Sequence, residues 1–264
     1  MKTKVAIVFL ISLILGFSSC SQKALSQKYG IEGDFNIEII NNGKSVKITR
    51  YTGTEKEVQI PSQILKRPVT VIGYRAFANT RISSVTIPDS VTSIEAKAFI
   101  NNNLTSIAIP DSVTYVGDGA FCYNRLSVTP VMNAALSYGD MVFAYNEFVN
   151  VTIPNTWTSI KAGTFSYNHI SNITIPKSVV SIEAGAFMHN DLTSVTIPGN
   201  VNTIEVGAFS HNPITKITIG ENVNFITVSG RVFHNMFAPQ FDSFYLANGG
   251  KAGTYTYNNE WNLR

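Results

Sequence analysis

Phenylalanine recurs at Phe77, Phe99, Phe121, Phe143, Phe165, Phe187 and Phe209, always 22 residues apart. Few architectures keep so strict a period. A second row holds Ile87-Pro88, Ile109-Pro110, Ile153-Pro154, Ile175-Pro176 and Ile197-Pro198, with Val131-Met132 and Ile219-Gly220 in the remaining slots. A third row is asparagine, at Asn102, Asn124, Asn146, Asn168, Asn190 and Asn212. Three rows on one spacing define an array in which each 22-residue unit is one coil of a solenoid.

Within a unit the pattern is Leu-x-x-Ile-x-Ile, as at Leu104, Ile107 and Ile109, or Leu192, Val195 and Ile197. Its last two apolar positions alternate with polar ones, the period of a strand, and Thr and Val favour that state. Proline closes each strand because it has no N–H for the ladder. A Ser-Val-Thr-x-Ile segment follows, as at residues 90–94, and then a tight Ala-Phe turn.

One coil cannot bury its own apolar side, so stacking must do it. Phe165 is expected to lie between Phe143 and Phe187. Strand registers are expected at Ile60, Ile87, Ile109, Val131, Ile153, Ile175, Ile197, Ile219 and Leu246, in a concave parallel sheet roughly 40 Å long. Short turns or 3-10 segments make the convex side. Both ends need covering. Phe35–Ile40 and Ser45–Tyr51 flank Asn41-Asn42-Gly43-Lys44, a hairpin signal. At the far end Asn248-Gly249-Gly250-Lys251 separates Phe244-Tyr245-Leu246 from Thr254-Tyr255-Thr256-Tyr257, a second hairpin-like cap.

The start of the chain is not fold. Lys2 and Lys4 precede an apolar run over residues 5–16, interrupted by Ser12, and small residues follow at Ser18 and Ser19. This reads as a secretory signal. Phe17-Ser18-Ser19-Cys20 resembles a bacterial lipoprotein cleavage box, with Phe17 where the usual box has Leu. That resemblance implies acylation of Cys20; the alternative is a soluble secreted protein with a chance cysteine. The expected division is 1–19 signal peptide, 20–30 lipidated tether, 31–66 N-terminal cap and first repeat, 67–230 repeats, and 231–264 C-terminal cap.

Removing the signal removes two of twenty basic residues against seventeen acidic ones, so the net charge falls from +3 to +1. A near-neutral chain gives no electrostatic case for nucleic acid. Cys122 is then the one thiol left besides Cys20 and forms no internal disulfide.

Units such as Leu192-Thr193-Ser194-Val195-Thr196-Ile197-Pro198, followed by Val201, Ile204 and Gly207-Ala208-Phe209, resemble the BspA-like leucine-rich repeats of bacterial surface proteins. The stretch from Asn248 to Tyr257, with Trp261, looks like the C-terminal segment of treponemal members. The resemblance spans about residues 30 to 264. It implies a leucine-rich repeat solenoid on a surface or secreted protein, often associated with attachment to host proteins or other bacteria, and it carries over no catalytic residue. The unit from Leu126 to Glu147 departs from it, with Pro130, Met132 and Tyr138 in place of regular residues.

No phosphate loop, nucleophile elbow or zinc helix motif occurs. Cys122 stands in a slot held elsewhere by Ala, Ser, Met or Ile, which suits a small packed residue. Glu183 and Glu205 share a row one coil apart; a solvated pair and an acid–base pair are the two readings. No cofactor or metal is expected, since His189 and His211 alone are too few for a dedicated zinc site.

Two surfaces are candidates for binding. Tyr123, Tyr145, Tyr167, His189 and His211 put a ring at one register in five consecutive coils, either as a gripping stripe or as rings that only stack on one another. Asn150, Thr152, Asn172, Thr174, Ser194, Thr196, Lys216 and Thr218 lie on the concave strand face, which extended partners use in other solenoids. The expected function is a non-catalytic surface module adhering to a host matrix protein or a bacterial surface protein, tethered to the outer membrane or cell surface by its lipid, with the periplasmic side open. A self-associating envelope lipoprotein and a carbohydrate-binding lipoprotein are the alternatives.

Overall fold

The structure, a computed structural model, describes residues 29–133, 135–226 and 241–263. The signal segment, Cys20, the tether up to residue 28 and residues 231–240 of the expected C-terminal cap lie outside them.

The chain winds as a β-solenoid with the 22-residue spacing, and the phenylalanines form its spine. Phe77 to Phe209 stack ring on ring, with centroids 4.9 to 6.0 Å apart and planes within 20°. Tyr51, the last residue of the N-terminal hairpin, adds a rung 5.3 Å from Phe77. Every ring in the column is buried. Removing one such side chain from water contributes roughly 1.5–3 kcal/mol.

The asparagine row is the second spine. Asn146 Nδ2 donates to the carbonyls of Phe143 in its own coil and Phe121 in the coil before, both at 3.1 Å, while its Oδ1 accepts the Leu126 N–H at 3.0 Å. Asn102, Asn124, Asn168, Asn190 and Asn212 repeat this set. A turn buried between coils leaves backbone groups that need partners, and one amide side chain supplies three of them.

Two rows of short strands run along the solenoid. The first holds Glu57–Gln59, Ser84–Thr86, Asn150–Thr152, Asn172–Thr174, Ser194–Thr196 and Lys216–Ile219. The second holds Ser93–Ile94, Tyr115–Val116, Ser137–Tyr138, Ser159–Ile160, Ser181–Ile182, Thr203–Glu205 and Asn224–Ile226. Pairing in both rows is parallel with partners one coil apart, as in Asn150↔Asn172 and Ser159↔Ser181. After the strands followed by Ile-Pro, the carbonyls of Pro88, Pro154, Pro176 and Pro198 accept the N–H three residues on, as in Val201 to Pro198.

Three expectations need correction. The registers at Ile109 and Val131 carry no strand. In the unit after Leu126, Pro130 and Met132 turn inward while Val131 is 87% exposed. That is a one-residue slip, which sends each side chain to the opposite face; the first row as a whole runs in separate pieces. The last register, at Leu246, is not a strand either, for Phe241–Ala247 is an α-helix. The far end is hairpin-like as expected, but its hairpin joins Gly253–Tyr257 to Trp261–Leu263 and does not turn at Asn248 to Lys251. Gly253–Tyr257 instead runs antiparallel to Lys216–Ile219, and Trp261–Leu263 pairs outside it. The aromatic-rich run 241–245 packs as a helix because Phe241 and Tyr245, one turn apart, are both buried against Tyr255.

The N-terminal hairpin forms within its expected bounds, with Ile40 opposite Ser45 and left-handed Asn41 and Asn42 in its turn. It joins the second row, through Arg67–Ile72 and Ser93–Ile94. The two ends are thus sealed on different rows.

Candidate functional site

The ring row sits where the backbone is left-handed. Asn79, Asn101, Tyr123, Tyr145, Tyr167, His189 and His211 have φ between 54° and 60°. Asparagine adopts this region readily, whereas an ordinary side chain there costs roughly 1–2 kcal/mol. Asn79 and Asn101 meet the demand and link by a 2.6 Å side-chain bond. The next five coils carry rings instead.

Those rings lie face to face. Centroids are 4.1 Å apart for Tyr123–Tyr145, 4.2 Å for Tyr145–Tyr167, 4.3 Å for Tyr167–His189 and 4.0 Å for His189–His211, with planes between 3° and 21°. Burial and the neighbouring Tyr123 phenol raise the Tyr145 hydroxyl above its usual range. Ring faces inside the column are covered by neighbouring rings, so the edge offers hydroxyls and ring edges to a partner. Tyr123, 46% exposed, shows how much of a ring remains open. Burial and the neighbouring His211 hold His189 below the usual imidazole range. Two residues further along each coil, Arg125, Glu147, His169 and Asp191 are exposed, giving the ring edge a charged rim.

The second candidate surface is also where the sequence places it in part. Asn150, Thr152, Asn172, Thr174, Ser194 and Thr196 flank buried Val151, Ile173 and Val195 and point to solvent. Lys216 and Thr218 continue it, but Thr218 is half covered, its hydroxyl 3.0 Å from that of Thr254 on the capping strand. Ring edge and strand face follow one another along each coil, so the two are neighbouring stretches of surface.

The remaining candidates have structural work. Cys122 is buried, and burial pushes its thiol up to about 11, too high for a nucleophile at neutral pH. Glu183 accepts from Lys161 Nζ at 2.9 Å, Ser159 Oγ at 2.6 Å and the Ala162 N–H at 3.3 Å. Burial alone raises its pKa, but these donors outweigh that and hold the carboxyl below the ordinary range. Glu205 accepts the Ala184 N–H, and Glu95 the Tyr74 N–H. Each glutamate of the row therefore caps a backbone N–H of the coil before it. Among the described residues no group of three or more His, Cys, Asp or Glu stands ready for a metal ion, and no helix is long and apolar enough to cross a membrane.

The sequence did not reveal the left-handed rows or the carbonyl-bridging work of the asparagines. A signal was present: glycine or asparagine recurs at both left-handed registers, as at Gly119, Gly163, Gly185 and Gly207, and at Asn79 and Asn101.

Solved structures of bacterial proteins show the same winding. A leucine-rich cell surface protein of Faecalibacterium prausnitzii A2-165 is 31% identical, with a TM-score of 0.61 over 72% of this chain and 54% of its own. A leucine-rich repeat protein of Bacteroides ovatus is 21% identical, with a TM-score of 0.64 over 75% and 55%. The leucine-rich repeat protein of T. pallidum is 24% identical, with a TM-score of 0.51 over 75% and 86%. The chain spans about half the length of the first two, and the last two show the fold alone. No curated protein matches. The family model of the BspA-type leucine-rich repeat region, which describes six copies of the repeat, matches residues 47–146 and 131–238. With the period, the phenylalanine column and the asparagine ladder, that match makes this chain a member of the BspA-type leucine-rich repeat family.

Proposed function

We propose that the chain is a non-catalytic, surface-displayed binding module that holds a protein partner along the ring edge and the adjoining strand face. One observation carries the reading. Five consecutive coils keep Tyr or His at a backbone position where asparagine is the less strained choice, and sparsely populated backbone held at repeated positions is a recognised mark of function. The open hydroxyls and charged rim suit a polar protein surface, since tyrosine offers rigid contact area at little entropic cost. A carbohydrate stacking on this column is disfavoured because neighbouring rings cover the faces. Membership of the family and the surface location of the Faecalibacterium protein support display outside the cell. In this reading Cys20 is the acylated residue that tethers the module, and the partner is a host matrix or bacterial surface protein.

The test replaces Tyr123, Tyr145 and Tyr167 together with asparagine, which suits the left-handed backbone. Binding of the full chain to purified matrix proteins should fall at least about tenfold, with the melting temperature unchanged or raised. Undiminished binding would remove the ring edge as the contact. Protease cleavage on intact cells is expected. Protection until the cells are permeabilised would instead favour an envelope role. Metabolic labelling with a fatty acid, lost in Cys20→Ser, checks the anchor.

A further inference from the structure

The slipped unit opens a second place on the surface. In the regular coils a second-row backbone N–H bonds to the coil before, as Thr114 to Thr92, Val180 to Thr158 and Asn202 to Val180. Thr158, at the same position, makes no such bond among the described residues, and Ser137–Tyr138 is not paired with Ser159–Ile160. The Tyr138 side chain fills part of the gap. Its hydroxyl donates to the Ser159 carbonyl at 2.8 Å, standing in for a strand edge. Its ring stacks on Trp157 with centroids 4.0 Å apart.

A cleft of about 170 Å³ remains beside this stack, lined by Leu136, Ser137, Tyr138, Thr156 to Ser159 and Lys161. Hydrogen bonding is incomplete around it. Trp157 is 4% exposed and its Nε1 has no partner. Ser178 is a second orphan. Its counterparts Ser90 and Ser112 donate to the carbonyls of Val69 and Val91 one coil back, but Ser178, whose counterpart carbonyl belongs to Trp157, makes no such bond. These are two of the three orphaned buried side-chain polar atoms among the described residues.

The chemistry of the lining narrows the ligand. Ser137, Thr156 and Thr158 bring hydroxyls, each donor and acceptor at once, and the open backbone of Thr158 adds a donor. Lys161 is already committed to Glu183, and Asp140 lies close to that pair with Asp118 beside it, so an anion meets carboxylates rather than a free cation. An apolar ligand would strand the hydroxyls. A cavity of about 150 Å³ holds one benzene, so this cleft has room for one six-membered ring. We propose that the Tyr138–Trp157 cleft binds a single neutral sugar ring, separately from the protein-binding edge.

The chain has two tryptophans, Trp157 and Trp261, so their indole N–H resonances report on the cleft and on a distant control. Nitrogen-15-labelled protein is titrated with glucose, galactose, mannose and N-acetylglucosamine, with Trp261→Phe to assign the two signals. A saturable shift of the Trp157 resonance by at least one of these sugars, with Trp261 still, is expected. Thr158→Val and Ser137→Ala, both at exposed positions, should weaken that response about tenfold without lowering the melting temperature. Tyr145→Asn should leave it unchanged. The proposal is overturned by no saturable shift with any of the four sugars, by an equal response in both cleft variants, by loss of the response in Tyr145→Asn, or by glucuronate binding as well as glucose.

Discussion

The coil that begins at Leu126 and the coils after it differ in one half only. In the regular coils the strand half is regular: Val151 and Ile153 point inward, Thr152 outward, and partners match one coil away. In the slipped coil the strand half turns over, so that Pro130 and Met132 are buried and Val131 exposed. Its turn half is unaltered. Phe143 lies 6.0 Å from Phe121 and 5.9 Å from Phe165, and Asn146 makes the same three bonds as Asn168. The turn half therefore carries the winding, and the strand half is free to vary.

The largest test of this comparison is in the column. Phe165→Ala should cost roughly 3–5 kcal/mol through the cavity it leaves, and Phe143→Ala should cost as much despite the slipped strand. A cheap Phe143→Ala in denaturant melts would mean that the whole unit is loose. Next, Asn146→Ala and Asn168→Ala should each cost about 3 kcal/mol, since three buried backbone groups lose their partner. A clear difference between the two would break the claim that the ladder is uniform.

Smaller effects probe what is peculiar to the slipped coil. Tyr138→Phe should cost about 1–2 kcal/mol, because the phenol bonds the Ser159 carbonyl where other coils use backbone. Acid should loosen the ring edge before the rest. The folded pKa of His189 lies below its unfolded value, so its neutral form supports the fold above the unfolded pKa, and that support fades as pH falls through the imidazole range. Histidine resonances followed from pH 8 to 5 should show His189 titrating below the ordinary imidazole range. The smallest expected effect is Val131→Ser, within about 0.5 kcal/mol, against a loss of roughly 2 kcal/mol for Ile153→Ser at the matching buried position.

The periodic residues made the winding, its period, the stacking of Phe165 and the N-terminal hairpin legible, because each follows from spacing and turn chemistry alone. The slip did not show, since Val131 is as apolar as the residues it replaces and only the packed neighbours decide which side chain turns in. The helix from Phe241 to Ala247 was missed for a related reason: a Phe-Tyr-Leu run reads as a strand until the partner surface fixes its period. At the candidate edge the five rings were visible as a row. Their mutual stacking and left-handed backbone were not, because both depend on how closely one coil lies on the next.

The capping strand Gly253–Tyr257 meets Lys216–Ile219 through main-chain bonds, with Thr254 touching Thr218 as its side-chain contribution. Any coil ending in a similar strand would serve it equally well. Gain or loss of a whole coil between the two caps leaves both end joints as they are, so length can be inherited in steps of one unit. Such a chain is able to lengthen or shorten its binding edge without redesigning its ends.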